Sequence, residues 1–401
     1  MQALLLLAHQ VSDLSMKPRL LCPGPTPVPE ETLLELAMPV TFHRSSQFRA
    51  ILGAVVADLQ EVFCTKNPVC VITSSGTGGM EAALTNVIRP GTKVICCISG
   101  RWGERWKNIS KAFGAVVVEL TCPYGEAITP AQLTQALKDH PDAKVVTATL
   151  SETSTGVRND IQGLGALVKD TDAVFIVDAI SGLGVMECRT DDWHVDFCVT
   201  GSQKALMLPA GLAFVSVSPK GFKRIDETLT QGPAASFYFD LRKYRDNLKG
   251  NDTPFTPANT LIKALRHSLA RLKAEGMEKV WQRHERMAAA ARAAATGLNL
   301  KLFARVNPTS GLTVFEVPEG LDASVILSRL EKEHGIRIAG GQDTMKGKIV
   351  RLAHMGYIDF FEVLAAVSAL ELVLSDMGHK IESGAGVSAA QRAFASWKPG
   401  A

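Results

Sequence analysis

The sequence predicts an α/β fold, with a mostly parallel seven-stranded sheet covered by helices and a smaller α+β C-terminal domain. Three observations predict it. Seven short apolar runs rich in β-branched residues recur between residues 69 and 217. Helical patterns lie between some of them. After residue 276 the rhythm changes to longer helical patterns with two strand-like runs.

The seven runs are VCVIT (69–73), KVICCI (93–98), AVVVEL (115–120), KVVTATL (144–150), AVFIVD (173–178), DFCVT (196–200) and LAFVSV (212–217). They are almost continuously apolar rather than alternating, which suits strands covered on both faces. Helical patterns at 79–89 and 129–138 fall between runs, the order expected of a parallel sheet with helices on both sides. Leu261, Leu265, Leu269 and Leu272 then recur at helical spacing, and Gly276 suits a C-terminal cap. Residues 277–299 form a further helical pattern rich in Ala and Arg. Strand-like pieces at 311–316 and 348–353, with helices near 322–334 and 360–376, complete the smaller domain. The expected division is an N-terminal extension or arm (1–26), a large domain (27–276) and a small domain (277–401). The tail after Gly378 is rich in small residues and is expected to be loosely held.

The 401 residues are 46% hydrophobic and 21% charged, enough to bury a sizeable core. With 43 basic and 40 acidic residues, and no basic run interleaved with aromatics, nothing points to nucleic acid. No apolar stretch is long enough for a membrane span. The short apolar run Ala3 to Ala8 has no Lys or Arg before it, so it lacks the charged region of a secretory signal. Met16 reads as a natural beginning, with residues 1–15 an upstream extension or an arm on a partner subunit. All eight cysteines lie at or before Cys198 and none form a C-x-x-C pair, which argues against zinc and for buried thiols in a reducing cytoplasm.

Three stretches carry chemistry. SSGTGG (74–79) joins the first strand-like run to a helix, and such a turn offers backbone N–H groups and the Ser75 and Thr77 hydroxyls to an anion. Without a following Gly-Lys-Ser/Thr it is not a Walker loop. A plain small-residue turn is the competing reading. Asp178 ends the run AVFIVD, at the edge of a parallel sheet where ligands bind, though a helix cap there is equally ordinary. Lys204 lies in GSQKA (201–205), flanked by small and apolar residues that would desolvate it and lower its pKa, making it a Schiff-base candidate. An anion turn, a strand-end Asp and a strand-end Lys, in that order, form the layout that pyridoxal 5′-phosphate (PLP) needs: an anchored phosphate, a carboxylate at the ring nitrogen and an amine for the aldehyde.

The chain resembles the class V aminotransferases of PLP fold type I, in particular the alanine–glyoxylate/serine–pyruvate aminotransferase group. The likeness rests on CPGPTPVP (22–29), FHRS (42–45), SSGTGGMEAAL (74–84), GRWGER (100–105), ETSTGV (152–157), VDAISGLG (177–184), TGSQKAL (200–206) and VRLAHMG (350–356). It implies catalytic roles for Lys204 and Asp178, with Ser75, Gly76 and Thr77 on the phosphate, Trp102 stacked on the ring and Thr153 at the ring hydroxyl. It also implies Gln203 beside Lys204, Thr256 reaching the phosphate of a neighbouring subunit, and Arg351 on the substrate α-carboxylate. Arg44 is a candidate for a second substrate carboxylate. The implied protein is a cytoplasmic homodimer with shared active sites, moving an amino group from alanine or serine to glyoxylate or pyruvate. Two positions depart from the animal alanine–glyoxylate enzymes: Thr77 stands where they carry His, and Thr253 where they carry a phosphate-binding Tyr. A cysteine desulfurase is disfavoured because no Cys follows Cys198. An aspartate-using aminotransferase, a PLP-dependent lyase and a catalytically silent scaffold stay open as alternatives, the last opposed by the presence of Lys204, Asp178 and Arg351.

Overall fold

The computed structural model describes residues 17–400, so the run Ala3 to Ala8 and Met16 lie outside the described residues. The seven expected strands all form: β1 (Val69–Ser74), β2 (Lys93–Ile98), β3 (Val116–Thr121), β4 (Val145–Thr149), β5 (Val174–Asp178), β6 (Phe197–Gly201) and β7 (Gly211–Val217). They make one sheet in the order β1-β7-β6-β5-β4-β2-β3. β7 runs antiparallel to both β1 and β6, and the other neighbours are parallel. Two antiparallel steps restore direction, so β1 ends at the same sheet edge as β5 and β6. Phe175, Phe197 and Phe214, one on each of three strands, are fully buried. Each such side chain stabilises the fold by roughly 1.5–3 kcal/mol.

Helices α1 (Gly76–Thr85) and α2 (Arg101–Ala112) follow β1 and β2 directly. α1 lies close on the sheet because Gly79 has no side chain: a Cβ there would stand 2.9 Å from Val199 Cγ1 and 3.1 Å from Ala213 Cβ. α1 begins at Gly76 rather than at 79, since the glycines read as a turn already have helical geometry. α3 (Asn259–Glu275) ends at Gly276, whose φ of +83° stops the helix, and α4 (Met277–Gly297) starts at once.

The second layer holds an antiparallel sheet, β8 (Leu312–Glu316), β9 (Ala339–Gly340) and β10 (Ile349–Ala353), with β10 central. Helix α5 (Phe360–Asp376) opens with a capping box between Asp359 and Glu362. The short strand Arg19–Leu20 pairs with Ile336–Arg337, and Leu21 sits in the same apolar cluster as α4 and α5. Residues 19–21 therefore lie in this layer before residues 23–26 cross to Lys204.

The tail after Gly378 departs from expectation. It folds into helix α6 (Ala385–Ser396), which packs along α4. The small residues taken for looseness are what let the two backbones approach. A Cβ on Gly297 would meet Ala385 O at 2.8 Å and Ala389 Cβ at 3.0 Å. Buried Ala290, Ala291, Ala294 and Ala390 line the same seam. Glu371 reaches from α5 to accept from Gly386 N at 3.0 Å, satisfying the start of α6. All eight cysteines are free thiols. No helix among the described residues is long and apolar enough to cross a membrane.

Candidate active site

The carboxyl edges of β1, β5 and β6 bring the expected residues together. Lys204 follows β6, and Asp178 is the last residue of β5. Lys204 Nζ donates to Pro23 O. The crossing segment runs tightly over this lysine: Thr26 N donates to Gln203 O at 3.2 Å and Thr26 Oγ1 to Lys204 O at 2.8 Å. Gly24, at φ +120°, is needed there, because a Cβ would collide with the lysine side chain. Burial pulls the Lys204 pKa from 10.5 to about 8, partly opposed by the attraction of Asp178. Burial likewise pushes Asp178 up to about 6, against the pull of an Ile180 N–H at 2.8 Å and the positive charges of Lys204 and Arg105. An amine near neutrality in basicity thus faces a carboxylate held in a low-dielectric place.

The anion turn stands at the start of α1. Ser75 occupies the N-cap position, is exposed and makes no side-chain cap bond, so the first N–H groups of α1 have no side-chain partner there. Gly76 packs against Ile180, two residues past Asp178, where a Cβ would press Ile180 Cδ1 at 2.6 Å. Thr77 Oγ1 accepts from Arg105 Nη1 at 2.9 Å. Gln203 Oε1 is buried without a hydrogen-bond partner, beside Gly201 and Gly76.

A hydrogen-bonded chain joins α2 to β10. Trp102 Nε1 donates to Thr153 Oγ1 at 2.7 Å. Arg351 Nη1 donates to Thr153 O at 3.0 Å, and its Nε to Gly340 O at 2.8 Å. Arg351 is buried, and that burial lowers its pKa. The indole of Trp102 and the guanidinium of Arg351 are thereby tied to one residue, Thr153. Sequence reasoning missed the residue that holds this chain in place. Glu152 is fully buried and accepts from Trp102 N at 2.9 Å, Gly103 N at 3.3 Å, Ser154 N at 3.1 Å and Ser154 Oγ at 2.5 Å. Burial pushes it up to about 7, against those hydrogen bonds. Its signal was in ETSTGV, a carboxylate directly after an apolar run and before a small-residue turn.

Other candidates lie elsewhere in this chain. Arg44 pairs with Asp252 at 3.0 Å, beside Arg49 at 2.7 Å from the same oxygen. Thr256 is exposed on a loop whose Ala258 N donates to Thr73 Oγ1 at 2.8 Å. His354 is a core residue bonded to Thr313 Oγ1 at 3.1 Å, and burial takes its pKa down to about 3. The cluster fits PLP on its own terms. It offers a desolvated amine, a buried carboxylate, a helix start with free donors and an unpartnered buried amide oxygen.

Comparison with known proteins finds similar sequences and structures along nearly the whole chain. The family model described as aminotransferase class-V matches residues 35–359. That family is PLP-dependent in general. A protein named soluble hydrogenase, small subunit, from Synechococcus is 40% identical over 95% of this chain and 99% of its own length. The L-aspartate–glyoxylate aminotransferase of Paracoccus denitrificans is 35% identical over 93% of this chain and 95% of its own. The serine–glyoxylate aminotransferase of Methylorubrum extorquens is 33% identical over 92% and 94%. The crystal structure of ureidoglycine–glyoxylate aminotransferase from Bacillus subtilis superposes with a TM-score of 0.90 at 30% identity, covering 95% of this chain and 99% of that one.

Proposed function

The chain belongs to the class V aminotransferase family, and from that premise we propose that it moves an amino group from alanine or serine to glyoxylate or pyruvate with PLP. The observation that carries the reading is the half-buried, weakly basic Lys204 near Asp178 at the carboxyl edge of the sheet. The relatives named for glyoxylate as acceptor support the substrate class.

When bound, PLP supplies an aldehyde for the substrate amine and a ring that takes up electron density from the α-carbon. Lys204 would supply the amine that holds this group and would carry the α-proton. Its pKa of about 8 suits a proton shuttle near neutral pH. Asp178 would place a negative charge at the ring nitrogen and favour its protonated form. Ser75, Gly76 and Thr77 would hold the phosphate, Trp102 and Thr153 would bind the ring, and Gln203 would flank the lysine. Arg351 clamps the α-carboxylate of donor and acceptor in turn through its planar fork.

Two copies share their sites in this proposal, each lending Thr256 to the other's phosphate. Leu34, Val40 and Phe42, exposed at 70%, 77% and 66%, are apolar side chains that such a contact would cover. The division into arm, large domain and small domain, and cytoplasmic residence, belong to the same proposal. A dicarboxylic donor would need a second cation, and Arg44 is already paired with Asp252. A hydrogenase role, as in the Synechococcus name, finds no group of three His, Cys, Asp or Glu able to hold a metal among the described residues.

The test is amine-donor profiling with glyoxylate and pyruvate as acceptors, joined to borohydride reduction and peptide mapping. Transfer from alanine or serine with the label on Lys204 supports the reading. A label on another lysine, or no transfer from any donor, refutes it.

A further inference from the structure

Arg105 is a half-buried cation that makes no ion pair among the described residues. It lies one turn along α2 from Trp102, with its guanidinium carbon 4.4 Å from the indole centre. Its Nη1 bonds only the neutral Thr77 Oγ1, at 2.9 Å. Its attraction to Asp178 and Glu152 acts at a distance, without a hydrogen bond to either, and burial lowers its pKa. Neighbouring cations on α2 are paired: Arg101 with Asp343 at 2.7 Å, and Lys107 with Glu104 at 2.6 Å and Glu119 at 3.3 Å. Among the described residues, Arg105 has no ion pair.

The place it points to is itself positive. Thr77 is in the first turn of α1, where unpaired N–H groups and the helix dipole favour an anion. Two positive features therefore meet at Thr77, and among the described residues no carboxylate is hydrogen-bonded to the guanidinium. An uncompensated, partly desolvated charge is costly, and a guanidinium has five donors to satisfy. A carboxylate would balance the guanidinium alone. A phosphate monoester, with a charge near −2 and several acceptor oxygens, balances guanidinium and helix start together.

We propose that Arg105 is the charge partner of the cofactor's phosphate, and so the residue that makes this site choose PLP over unphosphorylated pyridoxal. The proposal rests on the PLP reading above. Ser75, Gly76, Thr77 and Thr256, the residues assigned to the phosphate by resemblance, are all neutral; Arg105 adds the cation they lack. Thr77 then has a double task, holding the phosphate and orienting the guanidinium through its hydroxyl.

Equilibrium binding of PLP and of pyridoxal to the full-length protein, followed by tryptophan quenching, tests this with Arg105→Gln and Arg105→Lys. Losing a buried charge-assisted pair should weaken PLP binding by at least about 30-fold, while pyridoxal binding changes little. Arg105→Lys should lie between, keeping charge but losing the fork. Equal loss for both ligands, or no loss for PLP, overturns the proposal. A second measurement needs no variant. Phenylglyoxal labelling of Arg105 in the unaltered protein should be blocked by PLP and by inorganic phosphate, but not by pyridoxal. Labelling indifferent to phosphate overturns the proposal even where a variant fails to fold. If the unaltered protein binds PLP at Lys204 while Arg105 proves indifferent, only this inference falls. If it binds no PLP at all, the functional reading falls first.

Discussion

Replacing Lys204 by Met should make the cofactor-free protein more stable near neutral pH, although it destroys the activity. Met keeps an unbranched apolar stem of similar length and removes the charge. Burial lowers the lysine pKa from 10.5 to about 8, a difference equivalent to roughly 3 kcal/mol of penalty on the charged form. Below about pH 8 the lysine is protonated in both folded and unfolded chains, so the penalty is fully present. Between about 8 and 10.5 the unfolded chain binds more protons, so the wild type gains stability as pH rises. Above 10.5 the penalty is gone. Against this, the variant leaves the Pro23 carbonyl without its donor, at a cost of about 1 kcal/mol. The expected balance is a gain of roughly 2 kcal/mol near pH 7, reversing to a small loss in strong base. Urea unfolding of both cofactor-free proteins across this pH range measures it. A stability gap that is constant with pH, or that widens as pH rises, would refute the claim that Lys204 is held desolvated. Transamination by the variant should be absent in every condition.

Asp178→Asn should retain the cofactor, seen by its absorbance, yet cut turnover by more than about 100-fold, because the neutral amide no longer holds a charge against the ring. In the cofactor-free protein the same change should remove the stability lost between pH 3.8 and about 6, the window in which the unfolded chain ionises before the buried carboxyl does; chemical denaturation at pH 4 and pH 7 compares the two. Arg351→Lys should raise the Michaelis constants of donor and acceptor alike, by about 30-fold or more, with cofactor affinity unchanged. Constants that stay put for both substrates remove Arg351 from the site. Glu152→Gln sets an amide donor against N–H groups of Trp102, Gly103 or Ser154. It should cost about 1–3 kcal/mol and shift tryptophan emission, and unchanged emission would show that Glu152 does not hold Trp102.

The strands were legible because their apolar runs are short, β-branched and punctuated. All seven lie within two residues of expectation. Their order was not, because the reversal of β7 depends on which neighbours it pairs with, and nothing in LAFVSV records direction. Asp178 was visible as a polar residue ending an apolar run, and Lys204 as a lysine among small and apolar residues just past one. Arg351 needed the family likeness, since a lone Arg in a strand looks like any other until its guanidinium is seen buried against Thr153. Arg105 and Glu152 escaped because their meaning is relational: one makes no ion pair among the described residues, and the other gathers donors from two separate turns.

The alanine seam between α4 and α6 has a practical side. Trimming the chain at Gly378, a natural choice for anyone shortening a small-residue tail, would bare the buried Ala290, Ala291 and Ala294 on the α6-covered face of α4. That same helix carries His284, whose Nε2 receives the Gly356 N–H at 3.1 Å, and a Cβ on Gly356 would lie 3.3 Å from Lys204 O. A cut made at the far end of the sequence would thus loosen a wall standing one residue away from the reactive lysine's own backbone.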